Sequence, residues 1–247
     1  MSYKKGPDFA GSRLADVDFS RARLHGPVFE DAKITDGYFV NADISGDLEG
    51  LRLNGVEVAP LVEAELTRRF PDRAKLRAAD VDGLAAAWAM IEGRWDETVA
   101  RAWSLPEPML HERVDDEWSF VETLRHLIMA TDTWLLRMVR HEPRPYHAWG
   151  LAGSWLTDPR GIGLEPDADP SLDEVLDVRR GRMDAVRATI DALTPAELER
   201  VCIPPDPPGH PRDPHTVLHC LHVVLNEEWE HNQYANRDLA ALEGSDK

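Results

Sequence analysis

Bulky apolar residues recur every five positions in the first part of the chain. Phe9, Leu14, Phe19, Leu24, Phe29, Ile34, Phe39 and Ile44 form eight in succession. Two residues before each stands a small or compact one: Pro7, Ser12, Val17, Ala22, Pro27, Ala32, Gly37 and Ala42. Polar residues such as Asp16, Arg21, Asp31, Asp36 and Asn41 lie between them. A period of five fits neither a helix at 3.6 nor a strand at 2. It predicts a coil that turns a corner every five residues, with the large residue inward and the small one in the same wall.

From Ala78 the spacing turns helical. Leu84, Trp88, Ile91, Trp95 and Val99 predict a helix over about 80–101. Phe120, Leu124, Leu127, Ile128, Leu135 and Met138 predict a second over about 117–140. Ser171 with Glu174 three residues on is a capping box. It opens a third helix carrying Leu172, Val175, Leu176, Met183, Val186, Ile190 and Leu193. Thr194-Pro195 with Glu197 opens a short further turn, with proline at the first helical position. By the same logic Asp213-Pro214 starts a fourth helix running to about 242. Four long amphipathic helices predict a mainly α fold, an up-down four-helix bundle. Between the second and third lies a crossover, residues 141–170, with Pro143, Pro145, Pro159, Pro166 and Pro170 and the aromatics Tyr146, Trp149 and Trp155. That is long for a connection inside a compact domain. It reads as a strap along the bundle or a wall over a cleft, with a short helix over 148–156.

The five-residue repeat resembles the pentapeptide-repeat family, whose chain forms a square right-handed β-helix. The resemblance covers residues 5–53. With four repeats to a coil it implies about two coils, a stack roughly one nanometre tall at strand spacing. Open ends of a short solenoid need caps; Leu51–Val58 followed by the amphipathic Pro60–Arg69 is the candidate. The domain reading is therefore 1–58 as a pentapeptide-repeat module with its cap, 59–77 as a connecting helix or linker, and 78–247 as the four-helix bundle.

Composition narrows the partners. Lys plus Arg number 28 against 45 Asp plus Glu, a formal net charge of −17. Nucleic-acid binding without sequence preference needs a basic surface to displace counterions, and an anionic membrane needs one too. Neither is an expected partner. No apolar run approaches the length of a membrane span, and the start, MSYKKGPDF, lacks the apolar stretch of a signal peptide. Two cysteines, Cys202 and Cys220, make no disulfide framework. A cytoplasmic location with reduced thiols is expected, and the Arg- and Ala-rich composition suggests a bacterial source.

Candidate chemistry concentrates on two helices. Glu227 and His231 are spaced i, i+4, about 40° apart on one face of the fourth helix, so both can reach one metal. Cys220, Tyr234 and Asp238 fall near the same face, whereas His219 and His222 do not. Cys220 reads as a small buried hydrophobe. On the second helix His126 shares a small-and-polar strip with Ser119, Glu122, Thr123, Met129, Ala130, Thr133 and Arg137. Such a strip faces water or lines a polar cleft. Trp118 reads as core. Arg137 is a candidate for an anionic substrate group, with Tyr234 and Trp149 as further substrate-binding candidates.

The segment Glu117-Trp118-Ser119, Glu122 and His126-Leu127, followed on a later helix by Glu-x-x-x-His, resembles the DinB-like superfamily over residues 78–242. That family is a four-helix bundle with a three-ligand metal site. Its mycothiol-dependent maleylpyruvate isomerases use His, Glu and His, which the resemblance carries onto His126, Glu227 and His231. It implies a divalent metal, zinc first and nickel as an alternative, and a low-molecular-weight thiol. Glu122 and Glu230 are nearby groups without an assigned role. Unlike those isomerases, this sequence shows no separate carboxy-terminal domain and has the repeat at its front, so the maleylpyruvate substrate does not carry over. One carboxylate and two neutral imidazoles leave a zinc ion an open position, where a thiol or water loses its proton near neutral pH. Three functions follow: activation of a mycothiol-like thiol toward an electrophile, for S-transfer or isomerisation; metal-dependent hydrolysis; and a non-catalytic metal-binding or protein-interaction module, with a protein partner or self-association through the repeat.

Overall fold

A computed structural model describes residues 6–24, 26–153, 156–206 and 210–245. His25 and Trp155 lie outside them, as does part of the helix expected over 148–156. The chain divides into two compact units, Met1–Ala59 and Pro60–Lys247.

The first unit turns on a count of five. Backbone φ is positive at Gly11, Asp16, Arg21, Gly26, Asp31, Asp36, Asn41 and Gly46. The left-handed region is open to Gly and tolerated by Asp and Asn, and Arg21 is the one exception in this series. At alternate corners an amide closes a four-residue turn: Ser12 N–H to the Phe9 carbonyl (3.0 Å), Ala22 to Phe19 (2.9 Å), Ala32 to Phe29 (3.1 Å) and Ala42 to Phe39 (3.4 Å). Among the described residues 6–50 no β-strand forms. The large residues expected inward are not buried; Phe9 is 49% exposed and Ile34 59%. The unit ends in a hairpin, β1 (Arg52–Leu53) against β2 (Val56–Glu57). Its turn is Asn54-Gly55, both at positive φ, the two-residue connection whose twist matches paired strands.

The second unit is helical. Helix α1 (Ala59–Arg69) leads into a 3₁₀ segment, Pro71–Arg77, whose Leu76 is buried with the core. Helix α2 (Val81–Ala102) is capped by Asp80, whose carboxylate accepts the Gly83 N–H at 2.8 Å. After the short α3 (Glu107–Leu110) comes α4 (Phe120–Thr131). Its capping box joins Ser119 and Glu122. The second helix was expected unbroken to about 140. Instead, Asp132–Val139 widens into a π-helix, with Arg140 N–H reaching the Leu135 carbonyl at 3.0 Å. The widened turn holds the fully buried Asp132, which accepts Arg182 Nε (2.8 Å) and His147 N–H (2.8 Å).

Helix α5 (Leu172–Ala192) opens on the Ser171/Glu174 box and α6 (Pro195–Leu198) on Thr194/Glu197. Strand β3 (Val201–Cys202) pairs antiparallel with β4 (His215–Thr216). That pairing displaces the start expected at Asp213-Pro214: α7 begins at Val217 and runs to Ser245. Thr216 Oγ1 accepts the His219 N–H at 3.1 Å.

The four long helices close a ring. α2 packs on α7 and α5, and α4 packs on α5 and α7. Trp88, Trp95, Leu124, Ile128, Leu221 and Trp229 lie in its core. At roughly 25 cal/mol per Å² of apolar surface removed from water, each such side chain contributes about 1.5–3 kcal/mol. This packing, rather than helix propensity, holds the bundle. In the crossover a short helix does not form over 148–153. The amides there are spent elsewhere: Trp149 N–H on His147 Nδ1, Gly150 N–H on the His147 carbonyl, Leu151 N–H on the Arg125 carbonyl. No helix among the described residues is long and apolar enough to cross a membrane.

Candidate metal centre

The packing of α4 against α7 brings His126 to Glu227 and His231. One ligand atom from each lies within 4.8 Å of the others. His126 Nε2 is 3.2 Å from Glu227 Oε2, and His231 Nδ1 is 3.3 Å from the same oxygen. The strip around His126 faces inward: Thr123, Thr133 and Arg137 are buried with it.

The hydrogen bonds at the rings decide their chemistry. His231 Nδ1 meets the Glu227 backbone carbonyl one turn back, at 2.9 Å. A carbonyl only accepts, so this nitrogen carries the proton and Nε2 keeps its lone pair. His126 lies between two acceptors, the Leu151 carbonyl at Nδ1 (3.0 Å) and the Glu227 carboxylate at Nε2 (3.2 Å). A neutral imidazole has one N–H for these two. A cation on the Glu227 side, either a proton on Nε2 or a metal ion, is needed to satisfy both. Two imidazoles and one carboxylate suit zinc and similar divalent metals, and the carbonyl on each Nδ1 is the outer partner that such ligands ordinarily have.

Electrostatics agree. Burial, reinforced by the neighbouring His126, pushes His231 down to about 4, so its ring is neutral at pH 7 and free to ligate. Burial alone would raise Glu227. The His126 hydrogen bond and the pull of the His126 ring outweigh it and hold the carboxyl below its ordinary range. The Glu227 side chain keeps 31% of its surface exposed against 10% for His126, so the open side of the group lies at the carboxylate.

Aromatic rings border the group. Trp118 is not core: it is half-buried, with its ring 4.5 Å from His126 and 6.2 Å from His231. Tyr234, 42% exposed, stands edge-on to His231 at 5.8 Å. The other substrate-binding candidates have partners outside the group. Trp149 packs edge-on to His147. Arg137 is 2% exposed and donates to the Pro143 and Pro205 carbonyls, which ties loops together. Glu122 caps α4 and takes Arg113 Nε at 2.8 Å; Glu230 pairs with Arg73 at 3.4 Å. His222 Nε2 donates to the Ala78 carbonyl at 2.8 Å, and His219 stacks on His215. Cys220 is fully buried, its thiol pushed up to about 12 by burial and by Cys202.

Two features gave no signal in the pattern of the sequence. Arg179 on α5 forks onto Glu228 (3.0 and 2.6 Å), both side chains almost fully buried, and its guanidinium lies 4.9 Å from the centre of the Trp95 ring. This pair fixes α7 one residue from Glu227. The Leu151 carbonyl comes from the crossover, where spacing rules say nothing.

A comparison with curated proteins and one with solved structures each return no match. A sequence model of the DinB superfamily matches residues 90–235, a stretch that includes all three residues of the group and more than half of the chain. The chain belongs to the DinB superfamily.

Proposed function

We propose that the bundle holds a divalent metal, zinc first, on His126, Glu227 and His231, and uses it to activate a mycothiol-like thiol toward an electrophile for S-transfer or isomerisation. The observation that carries the reading is the His126 ring between two acceptors, which calls for a cation beside Glu227. Membership of the superfamily supports it. When bound, such a metal supplies a Lewis-acidic open position that acidifies a thiol or a water. The chain supplies the rest. Glu227 offsets one unit of the metal's charge and leaves the open side. Both Nδ1–H groups are held by carbonyls, which leaves Nε2 of each ring as the nitrogen with a lone pair. Trp118 and Tyr234 wall the approach and limit water near the reacting atoms.

The repeat at residues 5–53 is proposed to be a pentapeptide-repeat module that binds a protein partner or a second copy, and the protein to work in the cytoplasm. Metal-dependent hydrolysis uses the same ligands.

Metal content by mass spectrometry tests the site. His231→Ala is expected to lose the metal that the wild type retains; unchanged content would sink the assignment. Turnover of a thiol with an electrophile, measured beside ester and amide hydrolysis, then separates transferase from hydrolase.

A further inference from the structure

His126 and His231 use the same device, a carbonyl on Nδ1, but from different sources. For His231 the carbonyl belongs to its own helix, at Glu227. For His126 it is Leu151, in the irregular crossover. Something must hold that peptide still.

The residue next to His126 does so. Arg125 is 4% exposed. Its Nε donates to the Trp149 carbonyl at 2.9 Å, one terminal nitrogen to Ala168 at 2.5 Å, and the other to Glu165 and Pro166 at 3.0 and 3.2 Å. These carbonyls come from both limbs of the crossover, which are also tied to each other by Glu165 N–H on the Ala148 carbonyl at 2.7 Å. The Leu151 peptide is then bonded twice to α4, N–H to the Arg125 carbonyl (3.1 Å) and carbonyl to His126 (3.0 Å).

Among the described residues, the hydrogen bonds of this guanidinium all end on backbone carbonyls and none on a carboxylate. Glu122, Asp167 and Asp169 act on the cation only through space, and burial outweighs their pull; burying a cation in this way is costly, and an apolar side chain of similar length would pack there at lower cost. A device that gathers carbonyls from both limbs needs the planar fork of arginine.

We propose that Arg125 is a positioning residue for the metal centre: by clamping both limbs of the crossover it fixes the Leu151 carbonyl, which orients His126 with Nε2 toward Glu227. The metal part of this inference rests on the function proposed above; the orientation of the ring does not.

The test compares the two histidines in one protein. In histidine-labelled protein without metal, the Nδ1–H signals of His126 and His231 are followed by proton–nitrogen NMR and hydrogen exchange. In Arg125→Met the His126 signal is expected to vanish or exchange rapidly, while the His231 signal, held by its own helix, persists. Zn²⁺ affinity by competition with a chelating dye is expected to fall about 10–100-fold. Arg125→Lys, a milder change whose single ammonium cannot span both limbs, is expected to show the same order of effects at smaller size, and serves if the methionine variant does not fold. A His126 signal as protected in both variants as in the wild type would overturn the proposal. So would equal loss at both histidines, which marks a general loosening. If the wild type binds no Zn²⁺, the metal reading fails, and the NMR comparison still decides the role of Arg125.

Discussion

A single side chain shows how closely neighbouring residues can differ. Glu227 and Glu228 are adjacent and chemically identical. Helical geometry sends one to the His126/His231 group and the other to Arg179. Glu227 remains partly solvated and faces the two imidazoles; Glu228 is dry and satisfied by a permanent fork. Removing one partner of a dry pair strands the other charge, which costs about 3–5 kcal/mol. Glu228→Ala is therefore expected to lower the free energy of unfolding by that much, read as a lower urea midpoint at unchanged slope. The paired replacement Arg179→Met with Glu228→Leu should recover most of the loss.

At the scale of elements, the π-helical turn and the crossover work together. The widened turn carries Asp132, which receives His147 from the crossover and Arg182 from α5. Burial pushes this carboxyl from 3.8 up to about 6, although both donors pull against it. The folded pKa exceeds the unfolded one, so the folded protein binds more protons between those values. The contribution of Asp132 is full below the unfolded pKa and is lost as pH rises through about 6. Measured as wild type minus Asp132→Asn, stability is expected to decline from pH 4 to pH 7, by about 3 kcal/mol at most. Urea midpoints across that range check the sign; a rise would refute it.

Elements were legible where local chemistry sets them. Ser171/Glu174 and Thr194-Pro195 mark helix starts because their side chains satisfy the free amides of a first turn. The pair Glu227 and His231 was legible for the same kind of reason, since i, i+4 fixes a shared face. The start of α7 was not, because β3 pairs with residues 215–216 from thirteen to fifteen positions upstream, Cys202 with His215 and Val201 with Thr216. Nor were the π turn, the Leu151 carbonyl and Arg125's partners: each depends on a residue distant in sequence. Trp118 and Arg137 were misplaced because apolar or charged character does not say which neighbour a fold supplies.

For the whole molecule, a bound metal would join α4 to α7 across a hundred residues of chain. Such a ligand stabilises the folded state by mass action, about 2.7 kcal/mol at one hundred times its dissociation constant. For a unit of this size that is a rise in melting temperature of roughly 5–10 °C. Adding Zn²⁺ to metal-free wild type is expected to give this shift and to give none in His126→Ala; equal shifts would place the binding elsewhere. The net charge of −17 leaves this attraction for cations unopposed.

The corners of the first unit carry a different consequence. Because a left-handed residue falls at every fifth position from Gly11 to Gly46, the unit keeps phase like a ruled scale. Inserting or deleting one residue would put every later glycine, aspartate and asparagine out of step with its corner. Adding or removing five would leave each in place. Length can therefore drift in this part of the chain only in whole steps, whereas the surface loops of the helical unit are free to vary residue by residue.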